Sequence, residues 1–174
     1  MALVVALAGC AEPSGPDPVA SSAPGSAGSS IGAVQVTPCT AGRPQRSTRY
    51  DFNRDWQTRD LLVGVDAGDY VGGTAAFTGA DFVEVGQLLG SGFMDPYERQ
   101  NAAPSTWAIF QFLCRHPEVT AAGYVVSPER TDYRTSLEGV YSASIDPGLE
   151  RDARVLCRHA SLKTFRGHVD CFWD

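Results

Sequence analysis

Lysine is almost missing from this 174-residue chain: Lys163 stands alone against 13 arginines. With the richness in Ala, Gly, Val and Asp, that bias reads as GC-rich coding rather than as a chemistry. Positive charge is also in deficit. The net charge of −6 excludes a protein built to grip nucleic acid through its phosphates. Long apolar runs are absent too, since Ala2–Ala8 falls far short of the roughly 20 residues a membrane helix needs. The chain holds no Gly-x-Ser-x-Gly, Ser-x-x-Lys or His-Glu-x-x-His pattern. Gly86, Gly90 and Gly92 do not form a phosphate loop, because they follow a helical segment instead of opening one and no lysine accompanies them.

What is present begins at the N-terminus. The small, apolar Ala2–Ala8 has the length of a signal-peptide core and ends in Leu7-Ala8-Gly9-Cys10. This ending resembles the lipobox of bacterial lipoproteins. The resemblance covers the signal alone, and no Lys or Arg precedes the apolar run. It implies cleavage before Cys10 and a diacylglyceryl group, with palmitate-type chains, on the Cys10 sulfur. The mature protein is then held by membrane lipid on the extracytoplasmic face of the cell membrane. Two or three chains on one cysteine make a lasting anchor where one would not. Residues 10–36 carry this cysteine and a stretch of Pro, Ser, Gly and Ala broken only by a few apolar residues such as Val19 and Ile31. Such a composition cannot offset its own ordering entropy, and a flexible leash of about 25 residues averages roughly 25–30 Å end to end. Residues 37–174 remain as one domain of ordinary size, with 43% apolar residues in the chain as a whole and three tryptophans.

Beyond Cys10 there are four cysteines, Cys39, Cys114, Cys157 and Cys171. An even number in an oxidising compartment reads as disulfides. Four cysteines allow three pairings, which the sequence alone does not separate. The preferred arrangement is Cys157–Cys171, clamping a helix end to the next strand, with Cys39–Cys114 pinning the start of the fold to a core helix. A competing reading takes Cys157, His159, His168 and Cys171 as a four-ligand zinc site, although their spacing matches no standard zinc module.

Along the chain, Gly32–Val36 reads as a short strand and Arg43–Thr48 as loop. Asp51-x-Asn53-x-Asp55 begins like a calcium loop but fails: Trp56 occupies the turn-glycine position and Leu62 the place of the bidentate glutamate. Asn53 or Asp55 instead caps a helix from Trp56 to about Val65. Asp66–Gly73 is a break. Thr78 opens the next helix with Asp81 three residues on; Phe82, Val85 and Leu89 line one face, and it stops at Gly90–Gly92. Asp95-Pro96-Tyr97-Glu98 predicts a short helix to about Asn101. Pro104 opens another, with Trp107, Phe110 and Cys114 on one face, which must end near Arg115 because His116 precedes Pro117. His116 reads as a cap for helical carbonyls.

Thr120–Val126 is a strand, Ser127–Asp132 a turn, and Tyr133–Ile145 a second strand with Tyr133, Thr135, Leu137, Gly139 and Tyr141 inward. Asp146-Pro147 caps a helix to about His159 with Leu149, Ala153 and Leu156 inward. A last strand spans Phe165–Trp173. Leu113-Cys-Arg-His116 and Leu156-Cys-Arg-His159 echo one another, each followed by a Thr-x-x-Gly-x-Val pattern.

The expected architecture is α+β: a helical first half, then a small, mainly antiparallel, disulfide-stapled sheet with a helix packed across it. Tyr50–Glu98 carries nine acidic residues against Arg54 and Arg59, which reads as a solvated face and helix caps. No catalytic constellation and no cofactor is indicated. The leading expectation is a binding or interaction module for an envelope protein or small ligand. The alternatives are a hydrolase using His168 and Asp170, and the zinc site above.

Overall fold

The computed structural model describes residues 34–174. Helix α1 (Trp56–Val63) is capped by Asp55, whose carboxylate accepts from the Thr58 amide and hydroxyl. After a 3-10 turn at Ala67–Asp69 come β1 (Thr74–Ala80), α2 (Phe82–Gly90), α3 (Thr106–Arg115), β2 (Thr120–Val126) and β3 (Thr135–Ser142). Helix α4 (Pro147–Leu156), β4 (Leu162–Thr164) and β5 (Val169–Phe172) complete the order. The five strands form one antiparallel sheet, β1-β2-β3-β5-β4. The fold is α+β.

Inward strand residues (Phe77, Val125, Leu137, Val140, Val169) share one core cluster with Leu88 of α2, Phe110 and Phe112 of α3, and Leu149 and Ala153 of α4. Two disulfides, Cys39–Cys114 and Cys157–Cys171, join the start of the fold to α3 and the end of α4 to β5. The expected signal, Cys10 and the expected leash up to residue 33 lie outside the described residues.

Several elements differ from expectation. Residues 34–36 are not a strand. They form a strap on α2, where the Thr37 amide donates to Gly86 O at 2.8 Å and the Gln35 amide to Ser91 Oγ at 3.0 Å. A Cβ on Gly90 would sit 2.5 Å from Gln35 O, so glycine there lets the strap lie close.

Thr78 belongs to β1, not to a helix start. The cap of α2 is Asp81, which accepts from Val83 and Glu84 amides while Glu84 accepts from the Asp81 amide. Asp95-Pro96 starts no helix: Asp95 Oδ1 takes the Tyr97 amide and Asp95 O the Glu98 amide, closing a single turn. The backbone continues irregularly to Ser105, which caps α3.

In β3 the register slips, Gly123 facing Leu137 and Ala122 facing Gly139, which leaves Glu138 as an extra, bulged residue. The bulge reverses the alternation: Val140 is 1% exposed and Tyr141 49%, the opposite of the expected faces. Of the expected final strand, Phe165–Trp173, only β5 (Val169–Phe172) is formed; residues 165–168 are the turn that joins it to the unexpected β4, with Gly167 at φ +76°. The echo after α4 is therefore sequence likeness without a matching strand.

One polar cluster sits inside this frame. Arg59 of α1 has a side chain with no exposed surface. Its Nε and Nη2 lie 2.8 and 2.7 Å from Asp60 Oδ1, its Nη2 donates to Tyr70 Oη at 2.6 Å, and its Nη1 to Val126 O at 2.9 Å. Tyr70 Oη in turn donates to Asp60 Oδ2 at 2.7 Å. Burial, aided by the Asp60 carboxylate, pushes the Tyr70 hydroxyl up to about 12. The guanidinium also lies 4.7 Å from the centre of the Tyr133 ring. Removing one member of such a cluster leaves a buried charge without compensation. Arg59→Ala should cost roughly 3–5 kcal/mol in urea denaturation. Arg59→Lys should recover little of it, because a single ammonium cannot replace the guanidinium fork.

Candidate functional site

Cys157 and Cys171 are bonded to each other, so they offer no thiolates to a metal and the four-ligand zinc reading is withdrawn. Among the described residues no group of three or more His, Cys, Asp or Glu is placed to hold a metal ion. His159 accepts from Arg158 Nε at 3.1 Å. His168 stands by Tyr141, ring centres 6.2 Å apart. Among the described residues, neither His168 nor Asp170 has a side-chain hydrogen bond, so the structure does not assemble the hydrolase pair expected from sequence.

The histidine that does find a carboxylate is His116. Its backbone caps α3, and its Nε2 lies 3.1 Å from Asp152 Oδ2 on α4, with Glu118 at 3.7 Å from Nδ1. The hydrogen bond from His116 is the largest influence holding the Asp152 carboxyl below its ordinary value. This pair links two helices.

A more open arrangement lies between the loop ahead of α1 and the turn joining β2 to β3. The failed calcium pattern serves it: Asn53 Oδ1 accepts the Asp55 amide, Asn53 N donates to Gly92 O, and Asn53 Nδ2 donates to Ser91 O. Those bonds fix the loop against the end of α2. Tyr50 and Phe52 then pack edge to face at 4.8 Å between ring centres, and Phe52 meets Tyr133 at 6.4 Å. Tyr133, 3% exposed, forms the floor and donates from its hydroxyl to Asn53 O at 2.9 Å. Arg54 lies over the Tyr133 ring at 4.6 Å. Arg49, Asp51, Thr131, Asp132 and Arg134 complete a cleft of about 330 Å³.

Its electrostatics are set by pairs. Asp132 bonds Arg130 at 2.8 and 2.9 Å and Arg134 at 3.0 Å, which holds its carboxyl well below the usual range. Arg134 also donates to Tyr124 Oη at 2.7 Å and approaches Glu98 at 3.4 Å. Burial pushes the Tyr50 hydroxyl up to about 12, with Asp95 adding to the effect. The cleft offers the part-buried rings of Tyr50 and Phe52, the Arg54 guanidinium and the paired Asp132 carboxylate, groups of the kind that recognise a ligand by stacking and charge-assisted hydrogen bonds.

Sequence reasoning missed Tyr50, Phe52, Arg54 and Tyr133. The available signal was three aromatics beside arginines in otherwise polar segments, but nothing local says that residues 50 and 133 meet.

Glu98 supports the cleft from behind, accepting from Ser136 Oγ at 2.8 Å. Burial is the main influence on its carboxyl and raises it above the ordinary 4.5. The folded protein therefore binds this proton more tightly than the unfolded chain, and stability falls as pH rises between 4.5 and the raised value. Glu98→Gln carries no such titration. Urea denaturation across this range should show the variant gaining on the parent as pH rises, then a constant difference.

Comparison with protein-family models, with curated proteins and with solved structures gives no match, so the geometry carries the functional reading by itself.

Proposed function

We propose that this chain is a lipid-anchored protein of the cell envelope whose domain is a binding module, taking an envelope protein or a small ligand in the Tyr133 cleft. The observation that carries the reading is the aromatic floor of Tyr50, Phe52 and Tyr133 with Arg54 laid on it. Tyrosine and arginine are the residues that dominate binding energy at recognition surfaces. They give large contact area for little lost side-chain freedom. Here the floor is held in place by buried groups, so a ligand meets it already ordered.

The anchor half of the reading rests on the resemblance of Leu7-Ala8-Gly9-Cys10 to a lipobox. No helix among the described residues is long and apolar enough to cross a membrane. Attachment in this reading is through acyl chains on Cys10. Labelled palmitate should enter the full chain in a bacterial host, and Cys10→Ala should abolish both the label and membrane recovery. Retention of either by the variant overturns the anchor.

The cleft is tested separately. A photo-reactive residue at position 131, on the exposed rim of the cleft, should form a discrete adduct in envelopes, and the same residue at position 151 on α4 should not. Tyr50→Ala with Phe52→Ala should reduce that adduct at least about tenfold, the scale of losing one aromatic anchor. Equal adducts at both positions, or one indifferent to the double substitution, would falsify the assignment.

A further inference from the structure

The charge of the chain is not spread evenly. Between Arg151 and Arg166 five basic residues face a single acid, Asp152, in a protein of net charge −6. The fold gathers part of this excess into a cleft of about 520 Å³ lined by Arg154, Lys163, Thr164, Phe165 and Arg166. Two of its walls are held in position. Arg154 donates to Glu150 Oε1 at 2.9 and 2.6 Å, and its guanidinium lies 4.7 Å from the centre of the Phe165 ring. Lys163 donates to Arg158 O at 2.9 Å, just beyond the end of α4, and keeps two further donors. The Cys157–Cys171 bond locks α4 to β5, which carries β4 beside it, so the walls do not need assembling by a ligand.

Glu150 neutralises Arg154. Among the described residues, Lys163 and Arg166 have no acidic partner, so the cleft carries two uncompensated positive charges beside the Thr164 hydroxyl. A guanidinium fork, an ammonium and a hydroxyl among the residues lining one cleft form a donor set that suits a phosphoryl group. Two charges match a phosphate dianion. A long polyanion is disfavoured by the surrounding net negative charge, whereas a single group is not.

We propose that the cleft between α4 and the β4–β5 hairpin binds a phosphate group, carried by a small soluble molecule or by a lipid headgroup. This site is separate from the Tyr133 cleft and stands or falls without it.

The test uses the full chain with Cys10→Ala, so that acyl chains do not contribute. Inorganic phosphate and pyrophosphate are titrated by calorimetry at physiological ionic strength. In parallel, the protein is sedimented with phosphatidylglycerol–phosphatidylcholine vesicles and with phosphatidylcholine vesicles alone. Saturable binding of phosphate or pyrophosphate assigns a soluble ligand, and binding only to phosphatidylglycerol vesicles assigns a headgroup; either supports the site. Lys163→Ala with Arg166→Ala should weaken the interaction at least about tenfold, the loss of roughly one strong ionic contact. Lys163→Arg should retain it, as should Arg151→Ala, whose guanidinium is occupied with Asp152 at 3.2 Å. Both lining residues are exposed, so the double variant should melt with the parent. Absence of binding in both arms, or equal weakening by Arg151→Ala, overturns the proposal.

Discussion

The buried Arg59–Asp60 pair is the constraint on which the arrangement of this domain depends. Neighbouring residues on a helix rarely turn to the same interior point, and removing two charges from water still costs several kcal/mol per ion after relaxation. Here the cost is met by a closed ring of donors and acceptors in which Tyr70 answers both partners. The remaining guanidinium donor reaches Val126 O, at the end of β2. One side chain thus ties α1, the Tyr70 turn and the central sheet together by direct bonds. Its flat face rests by Tyr133, the floor of the proposed binding cleft. A hydrophobic residue could fill the same volume, but it would not fix the rotation of that tyrosine or the course of the chain through Tyr70. The polar cluster therefore specifies geometry at least as much as it stabilises.

How much of this could be read from the sequence depends on the range of each interaction. The Asp55, Asp81 and Asp146 caps act over two or three residues, and the sequence indicates helices at all three, though it places Thr78 where Asp81 does the capping. Thr120–Val126 is recovered as drawn because its alternation is local. β1 is different: Thr-Ala-Ala-Phe-Thr-Gly-Ala has one large apolar side chain, and its place in the sheet is decided by pairing with β2. The bulge at Glu138 reverses the expected faces of Val140 and Tyr141, and it is defined only by the partner strand. Asp95-Pro96 carries all the local signals of a helix start. Those signals lose to the pull of Glu98 towards Ser136 and to the Glu98 carbonyl accepting the Thr106 amide. The Arg59 cluster is the extreme case, joining residues 59, 70, 126 and 133, and no pattern in the sequence marks an arginine of a short polar helix as fully buried.

The same distinction separates the two clefts. The basic stretch after Arg151 is visible as composition, but composition alone gives a solvated face. It becomes a cleft because β4 pairs with β5 and residues 165–168 form the turn between them instead of the start of a strand, so that Lys163 and Arg166 line one space with Arg154. The aromatic cleft has the opposite history. Its residues are far apart in sequence, and Asn53 joins them by anchoring its loop to the end of α2 while receiving the Tyr133 hydroxyl.

In the lipid-anchored reading, the way the leash enters the fold also matters. Tension on residues before Gln35 falls first on the strap, held to α2 by the Thr37 amide and by the Gln35–Ser91 contact. Each such bond contributes about 1 kcal/mol net, so the strap can peel without cost to the core. Peeling stops at Cys39, where the bond to Cys114 passes the load covalently into α3, the helix that supplies Ile109, Phe110, Phe112 and Leu113 to the core. A pull along the leash therefore reaches the most deeply packed helix before it reaches either cleft. The loop carrying Tyr50 and Phe52 lies on the far side of that cross-link in the chain. It is held by its own bonds to the end of α2, so in that reading a binding surface built there is shielded from a pull on the anchor.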